Sequence, residues 1–324
     1  MPLFGRKKSP GKTVLVLDVE NGSVGGALVH LSSQELPWLF AETRVFLPVL
    51  HSRSAHTLLS EVGAAAHNVL RHISEVAARL RAHPHTAHRG EVERAALFLS
   101  APWGSPNLAV GKPQFAQPTV EMLDNLAEGF LGDTPIHFHT NAGALLQGSR
   151  RVLPQERRYL LCGISGEVSE LLLVEDGRAS GYATIPSGRH GVLRTLRSHG
   201  GLSEQEARSV MRLPTKTNAA HAYGEPLAAA SAHFAGHFVE AARGLMGDTP
   251  TNRVYVVSEE PVGDWFARSL AESDQVGEMY PEGGVVRSLR APQVTEHFSG
   301  HAEVPDISLM LQALFVDAGF SRYN

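Results

Sequence analysis

Two stretches of the chain share one plan, in which an apolar strand, a glycine-bearing turn and a second strand follow one another. The first covers residues 14–31 around Asn21-Gly22-Ser23, and the second covers residues 159–174 around Ser165-Gly166. Continuous apolar runs cut by such turns are typical of hairpins buried in a sheet. A glycine bend also leaves backbone N–H groups free, an arrangement that binds phosphate in several folds. The repeat predicts two similar sheet-bearing halves, and an ordinary structural hairpin is the alternative for each.

The composition of the chain limits the classes of protein to which it can belong. A chain of 324 residues with 43% hydrophobic and 19% charged residues is ordinary for a soluble protein of one large or two medium domains. A formal net charge of −4 argues against a nucleic-acid partner. Cys162 is the single cysteine, which excludes internal disulfides and suits a reducing cytoplasm. No stretch approaches the roughly 18 apolar residues of a membrane span.

The start of the chain, Phe4-Gly-Arg-Lys-Lys8, is a short basic segment without the apolar core of a signal peptide. We interpret it as a solvated tail with weak attraction to an anionic membrane leaflet. The sequence thus predicts a cytoplasmic protein with no transmembrane segment.

The spacing of apolar residues and the turn signals predict the remaining strands and helices. In the first half we predict strands at 40–49, 95–100 and 135–139, helices at 56–80, 120–131 and 141–147, and an irregular Pro- and Gly-rich loop at 105–118. In the second half we predict a strand at 181–185, a helix starting at 193, a helix with the capping box Ser203/Glu206, a strand at 253–257, and helices at 226–246, 265–270 and 307–318.

Four short motifs, in this order, resemble those of one superfamily. Residues 17–24 (Leu-Asp-Val-Glu-Asn-Gly-Ser-Val) are similar to a first phosphate loop, and residues 163–170 (Gly-Ile-Ser-Gly-Glu-Val-Ser-Glu) to a second. Ile-Pro-Ser-Gly at 185–188 and Leu-Ser-Glu-Gln-Glu-Ala at 202–207 follow at the expected places. Together they resemble the actin-like ATPases, in particular the PilM/FtsA branch and its PilM family of type IV pilus assembly proteins.

That resemblance implies an α/β fold of two actin-like (RNase H-like) lobes, each a mixed sheet flanked by helices. It divides the chain into a basic tail (1–12), lobe I (13–153) with a shortened insert around 104–135, lobe II (154–303), and a C-terminal helix (304–324) that returns to lobe I.

The resemblance also implies a nucleotide site between the lobes. Its residues would be, from the first loop, Asp18, Asn21, Gly22 and Ser23; from the second, Ser165, Gly166, Glu167 and Glu170; and from the third motif, Ser258 and Glu259. Asp18 would be the carboxylate that holds Mg²⁺, largely through water. For Asp18 the alternative is a strand-end residue that caps a turn, and for Glu170 a solvent-facing strand residue.

The same motifs depart from the family at positions that matter for ATP. Gly163 stands where the second loop has Asp, and Ser258-Glu-Glu260 stand where the third motif has three glycines. Carboxylates beside phosphates would repel them by about 1–4 kcal/mol per pair. The sequence therefore predicts a pseudo-ATPase for which the family's cofactor, ATP with Mg²⁺, binds weakly or not at all, and it favours a non-enzyme.

The implied function is a scaffold of an inner-membrane assembly, in type IV pilus biogenesis. Its partner would be an inner-membrane pilus or division protein, bound through a short cytoplasmic peptide, with self-association as a further mode and a peripheral location at the inner membrane. The alternatives are an ATP-binding switch with Asp18, Ser23, Ser165 and Glu170 around the phosphates, an FtsA-like division protein, and a sugar- or acetate-kinase-like enzyme, for which we find no general-base Asp.

Histidine pairs and the last helix have simpler interpretations. His137/His139 on a strand and His233/His237 on a helix lack a further ligand at metal-binding spacing, which favours surface or core roles. The helix at 307–318 lacks the basic face of a membrane-surface helix, so we expect it to pack in the core.

Overall fold

The structure of the protein, a computed structural model, describes residues 11–108, 111–213, 222–247, 250–259, 261–280, 283–301 and 305–320. Most of the predicted basic tail (residues 1–10), Glu260 of the third motif, and residues 304 and 321–324 of the predicted C-terminal segment lie outside the described residues.

The first half of the chain builds a five-stranded mixed sheet. Its strands are β1 (Lys12–Val19), β2 (Ser23–Leu31), β3 (Trp38–Phe46), β4 (Val92–Leu99) and, after the β5–β6 hairpin (Gly104–Asn107, Lys112–Phe115), β7 (Ile136–Thr140). The first three strands form an antiparallel meander, β4 and β7 add in parallel, and the order is β3-β2-β1-β4-β7. The helices are α1 (Ala55–Ala82), α2 (Ala87–Gly90), α3 (Gln117–Leu131) and α4 (Asn141–Val152).

The second half repeats this topology. Strands β8 (Arg158–Gly163), β9 (Ser169–Glu175) and β10 (Arg178–Ile185) form a meander, and β11 (Arg253–Val257) and β12 (Val285–Ser288) add in parallel, giving β10-β9-β8-β11-β12. The helices are α5 (Arg189–Gly200), α6 (Glu204–Met211), α7 (Gly224–Met246), α8 (Val262–Ala271), α9 (Asp274–Met279), α10 (Ala291–Thr295) and α11 (Ile307–Phe320). The predicted fold class, two α/β lobes each with a mixed sheet flanked by helices, is confirmed. The exact lobe limits stay a prediction.

Helices α4 and α11 lie between the two sheets and join the lobes. Their apolar side chains share one core with residues of β1 and β2 from lobe I and of β8 and β9 from lobe II. Two further cores lie on the outer faces of the sheets, one per lobe. The helices approach closely because α4 is rich in small residues: a Cβ at Gly148 would lie 2.9 Å from Leu311 Cβ.

Several local predictions hold. The capping box on α6 forms as expected, with the Ser203 side chain accepting from Glu206 N and the Glu206 carboxylate accepting from Ser203 N. Helix α11 packs in the core, where Phe315 meets the rings of Phe98 and His139 at centroid distances of 5.5 and 4.9 Å.

One local prediction is wrong. Residues 105–118 are not an irregular loop, because β5 and β6 pair as an antiparallel ribbon and α3 begins at Gln117. The Pro and Gly signals mislead here because Pro106 and Pro113 lie opposite each other in a two-stranded ribbon, where a residue without an N–H is tolerated. Gly111 takes the left-handed backbone conformation (φ 69°) just before β6.

Within the described part of the chain, no helix combines the length and apolar character that crossing a bilayer would require.

We predict opposite effects for two glycine-to-alanine substitutions in helices. Gly148→Ala should lower the free energy of unfolding by about 1–3 kcal/mol, because the added methyl group overpacks the contact between α4 and α11. Gly244→Ala, on the exposed face of α7 with no atom within 4 Å of an added Cβ, should raise it by about 0.5–1 kcal/mol through helix propensity. Urea unfolding measures both. A stabilised Gly148→Ala would contradict the close packing of α4 on α11.

Candidate functional site

The two glycine-bearing turns, one from each lobe, touch each other at the centre of the molecule. A Cβ at Gly22 would lie 2.4 Å from the Cα of Gly166, and a Cβ at Gly166 would lie 2.3 Å from the Cα of Gly22. Only glycine permits so close a backbone approach. The space that a phosphate group would need between these turns is therefore filled by the opposite turn.

The side chain of Asn21 bridges the two turns. Its Nδ2 donates to Ala101 O at 2.6 Å and to Val168 O at 3.1 Å. Its Oδ1 accepts from the backbone N–H of Glu167 at 2.5 Å and from the Ser165 hydroxyl at 3.3 Å. Backbone N–H groups of this loop are the donors that a phosphate would need, and Asn21 already occupies the N–H of Glu167.

Asp18, the predicted metal carboxylate, lies fully buried near the end of β1 and pairs with an arginine. Arg44 Nη2 donates to Asp18 Oδ2 at 2.7 Å, and Arg44 Nε donates to Asp306 Oδ2 at 2.5 Å. Burial raises the pKa of Asp18 to about 7, against the opposing effect of Arg44. A guanidinium thus lies against the carboxylate that the family resemblance assigns to Mg²⁺.

Local backbone features bring Arg44 to this position. In the pairing of β2 with β3, Ala41 and Glu42 together oppose the single residue Ala27, which is a β-bulge, and Ala41 has φ 61°. Gly25 lies opposite Arg44 in the register, and a Cβ there would come within 2.8 Å of Arg44 Nη2. The bulge and the missing side chain leave room for the guanidinium.

A second arginine links the lobes through Glu20. Arg189, from α5 of lobe II, donates from Nη2 to Glu20 Oε2 at 2.8 Å and to the Ser23 hydroxyl at 3.2 Å. Its Nη1 lies 3.7 Å from Glu259 Oε2. The Glu259 carboxylate of the third motif therefore faces a cation. Arg189 partly neutralises the negative charge that the sequence places beside the implied nucleotide site. Ser258 is buried beside it, and its hydroxyl makes no hydrogen bond within the described residues.

Glu167 points toward α5. It accepts from His190 Nδ1 at 3.1 Å and from Arg194 Nη2 at 2.7 Å. Burial alone would raise the pKa of Glu167, but these two partners outweigh it and lower that pKa to about 2. Glu167 therefore contributes a fixed negative charge that holds the second loop against α5.

Glu170 is buried, so the interpretation as a solvent-facing strand residue is wrong. Its carboxylate accepts from Tyr182 OH at 3.0 Å and from Asn141 Nδ2 at 3.3 Å, and Asn141 Oδ1 accepts from Gln312 Nε2 at 3.1 Å. Burial raises the pKa of Glu170 to about 7, with Tyr182 and Asn141 opposing. The burial of Glu170 could not be read from the sequence, because Glu170 stands at the polar start of an apolar run and its partner Asn141 lies 29 positions away.

Residues 47–50, which we call the strap, cross from lobe I to lobe II beside the first loop. Leu47 N donates to Gly22 O at 2.9 Å, and the Val49 side chain is buried in the lobe II core. Glu204 accepts from Val49 N at 3.3 Å, and Arg197 donates to Val49 O at 3.0 Å. The strap is a further contact that holds the lobes together.

Comparisons with known proteins can now be set against this geometry. No protein-family model matches the chain, and no curated protein is similar to it in sequence. Solved structures do match. A chain of the PilM-PilN type IV pilus biogenesis complex aligns over 96% of this chain and 99% of its own length, with a TM-score of 0.61 and 13% identity. The ethanolamine utilization protein EutJ from Carboxydothermus hydrogenoformans aligns over 96% and 91%, with a TM-score of 0.56 and 13% identity.

The chain has the actin-like ATPase fold. The two glycine turns are those that the sequence resemblance assigned as phosphate loops. The structure brings most of the predicted site residues around one centre: Asp18, Asn21, Gly22 and Ser23 of the first loop, and Ser165, Gly166 and Glu167 of the second. Ser258 and Glu259 lie at the side of this centre. Glu170 lies in a separate buried network. Their part in nucleotide binding stays a prediction.

The groups present do not fit Mg²⁺ with ATP. Arg44 binds Oδ2 of the Asp18 carboxylate, Asn21 occupies loop N–H groups, and the two turns are in contact. Among the residues that the structure describes, no three His, Cys, Asp or Glu side chains are grouped so as to hold a metal ion.

Sequence reasoning missed the two arginines. Arg44 and Arg189 gave no signal, because a cation in a strand or at a helix start is ordinary, and the partner Asp306 lies 262 positions from Arg44. The adjacent glycines Gly25 and Gly26 within β2 were the available hint, since glycine inside a strand marks a bulge or a close approach.

We predict a pH-dependent loss of stability for Tyr182→Phe. The pKa of Glu170 in the folded protein, about 7, lies above its ordinary value of 4.5, so the folded state binds more protons and stability falls as pH rises between these values. Removing the Tyr182 hydroxyl takes a hydrogen bond from the ionised carboxylate. The cost should reach about 1.5–3 kcal/mol near pH 8 and be smaller near pH 5.

Tyr159→Phe is the matched control, because the Tyr159 hydroxyl bonds the neutral Ser149 hydroxyl at 2.9 Å. Its cost should be about 1 kcal/mol at both pH values. Denaturant unfolding at the two pH values measures all three proteins. Equal losses for Tyr182→Phe near pH 5 and pH 8 would contradict the assignment.

Proposed function

We propose that this protein is an actin-like scaffold of the PilM type, a pseudo-ATPase whose nucleotide cleft has become a fixed joint between its lobes. The observation that carries the proposal is the closed cleft, in which Asn21 bridges both phosphate loops and Gly22 packs on Gly166. Similarity in fold to a chain of the PilM-PilN type IV pilus biogenesis complex supports the choice of scaffold class. We place the protein in the cytoplasm, docked on an inner-membrane pilus assembly.

A groove beside the β5–β6 hairpin is the proposed docking site for the partner. It has a volume of about 330 Å³ and a largely apolar lining that includes Leu108, Pro113 and Phe315, with Lys112 also contributing. Leu108 is 42% exposed. The hairpin stands where the family resemblance places an insert that helps bind a membrane partner's cytoplasmic tail, although the insert is shortened in this chain, which weakens the carry-over of that role. The lining suits a short extended peptide with apolar side chains and an acidic group near Lys112.

The closed cleft can be tested with nucleotide. Calorimetric titration with ATP and Mg²⁺ up to about 1 mM should give no binding, and the thermal midpoint should not rise with ATP. The variant Asn21→Gly frees the loop N–H groups but leaves Arg44 and the packed turns in place, so it should also fail to bind. Micromolar binding by the wild-type protein, with turnover, would overturn the pseudo-ATPase proposal in favour of an ATP-driven switch.

The docking site can be tested by co-purification. The full-length protein should co-purify with a membrane protein of the pilus assembly, and Leu108→Asp should abolish this, because a buried unpaired carboxylate is costly at an apolar contact. Leu36→Asp, at a side chain that is 45% exposed and lies outside the groove, is the matched control and should retain the partner. Partner capture unaffected by Leu108→Asp would exclude the groove.

A further inference from the structure

The strap has an inward and an outward face. From Phe46 to Leu50 the side chains alternate, so that Leu47 and Val49 are buried while Phe46, Pro48 and Leu50 are exposed. Leu47 lies in the outer core of lobe I, and Val49 lies in the outer core of lobe II. A segment that begins after β3 and ends before α1, both in lobe I, thus places one apolar side chain inside lobe II.

Charged side chains of lobe II hold the strap backbone. Arg197 donates to Val49 O at 3.0 Å and Arg194 donates to Leu50 O at 3.2 Å, both from helix α5. The Glu204 carboxylate of α6 accepts from Val49 N at 3.3 Å. Hydrogen bonds with a charged partner are stronger than those between neutral groups. The strap is therefore attached to lobe II by its backbone as well as by the Val49 side chain.

Arg194 also connects the strap to the second loop. The same Nη1 that donates to Leu50 O donates to Glu167 Oε1 at 3.0 Å, and Nη2 donates to Glu167 Oε2 at 2.7 Å. On the lobe I side, Leu47 N donates to Gly22 O of the first turn. The strap therefore contacts both glycine turns, the first directly and the second through Arg194.

The strap lies away from the joint that α4 and α11 make between the lobes. Val49 is buried on the outer face of the lobe II sheet, whereas α4 and α11 pack between the two sheets. A contact far from a hinge resists opening with the longer lever arm. Local opening of a protein starts where few buried contacts hold a segment, and one valine side chain with its neighbouring hydrogen bonds is a small attachment beside the core around α4 and α11.

We propose that the strap is a releasable latch on the cleft. While it is attached, it holds the two turns in contact and keeps their N–H groups from any outside ligand. When it leaves lobe II, the lobes can part about α4 and α11. The closed cleft is then an inhibited state of the joint, and a protein that displaces the strap opens it. The inference goes beyond the proposed function, because it depends neither on the pilus partner nor on the loss of ATP binding.

Native-state amide hydrogen exchange tests the latch in the wild-type protein. One reporter is the N–H of Val49, which donates to Glu204 across the lobes. The other is the N–H of Glu167, which donates to Asn21 across the cleft. Both should exchange faster than the N–H of Leu172, which lies between β8 and β10 in the lobe II sheet and should exchange only when the lobe unfolds. Their rates should rise little in dilute urea, because release of the strap exposes little surface.

Two variants weaken the latch in different ways. Val49→Ala removes buried apolar surface and should speed exchange at both reporters on the order of 10-fold. Arg197→Gln removes the charged donor to Val49 O from a residue outside the two outer cores, and should speed both by about 5-fold. Leu50→Ala is the matched control, since that side chain is 38% exposed on the outward face, and it should leave both rates unchanged.

Two results would overturn the inference. If the N–H of Glu167 is as protected as that of Leu172 in the wild-type protein, the cleft opens only by unfolding and has no latch. If the variants speed exchange at position 49 but leave Glu167 unchanged, the strap is a surface loop without hold on the cleft. Either result, together with absent ATP binding, would reject the latch and leave the pseudo-ATPase proposal standing.

Discussion

The structure depends on a protein cation, Arg44, at the place where the sequence resemblance implied a metal ion. Three carboxylates from two segments, Asp18 and Glu20 at the end of β1 and Asp306 just before α11, converge on the largely buried Arg44. A buried ion pair adds little net stability, since desolvation offsets the attraction, but leaving its carboxylates without the cation is strongly unfavourable. Arg44 supplies that charge as part of the chain, and Asp18 Oδ1 is left without a hydrogen-bond partner among the described residues.

The buried ion pairs and the strap both hold the two lobes together. Arg189 from lobe II reaches Glu20 of lobe I, and the strap residue Val49 is buried in the lobe II core. A ligand can shift a conformational equilibrium only by binding one state better than another. In the proposed pseudo-ATPase, Asn21 and the opposite turn fill the cleft, so nucleotide would gain no contacts by binding one arrangement of the lobes rather than another. The proposed scaffold is therefore a fixed platform with its docking surfaces on the outside.

Local and short-range features of this structure were predictable. Turn glycines, apolar runs and the Ser203/Glu206 capping box have their physical cause within a few residues, so most strands and longer helices follow from the sequence. The edge strand β12 and the short helices α2, α9 and α10 were not predicted. The hairpin at 104–115 was missed, because prolines that forbid a central strand are tolerated in a two-stranded ribbon. Glu170 was misjudged because its buried partner Asn141 lies 29 positions away and nothing near Glu170 in the sequence indicates that contact.

The sequence alone determined a duplicated α/β chain with a glycine turn in each half, and through resemblance it indicated two phosphate loops with altered residues. Only the tertiary structure decided what fills the space between those loops. Asn21 and Val168 are 147 positions apart, and Arg44 and Asp306 are 262 apart. Contacts at such separations arise when two sheets pack around α4 and α11, and no local propensity encodes them. For the same reason the acidic residues could be seen in the sequence, while the arginines that balance them could not.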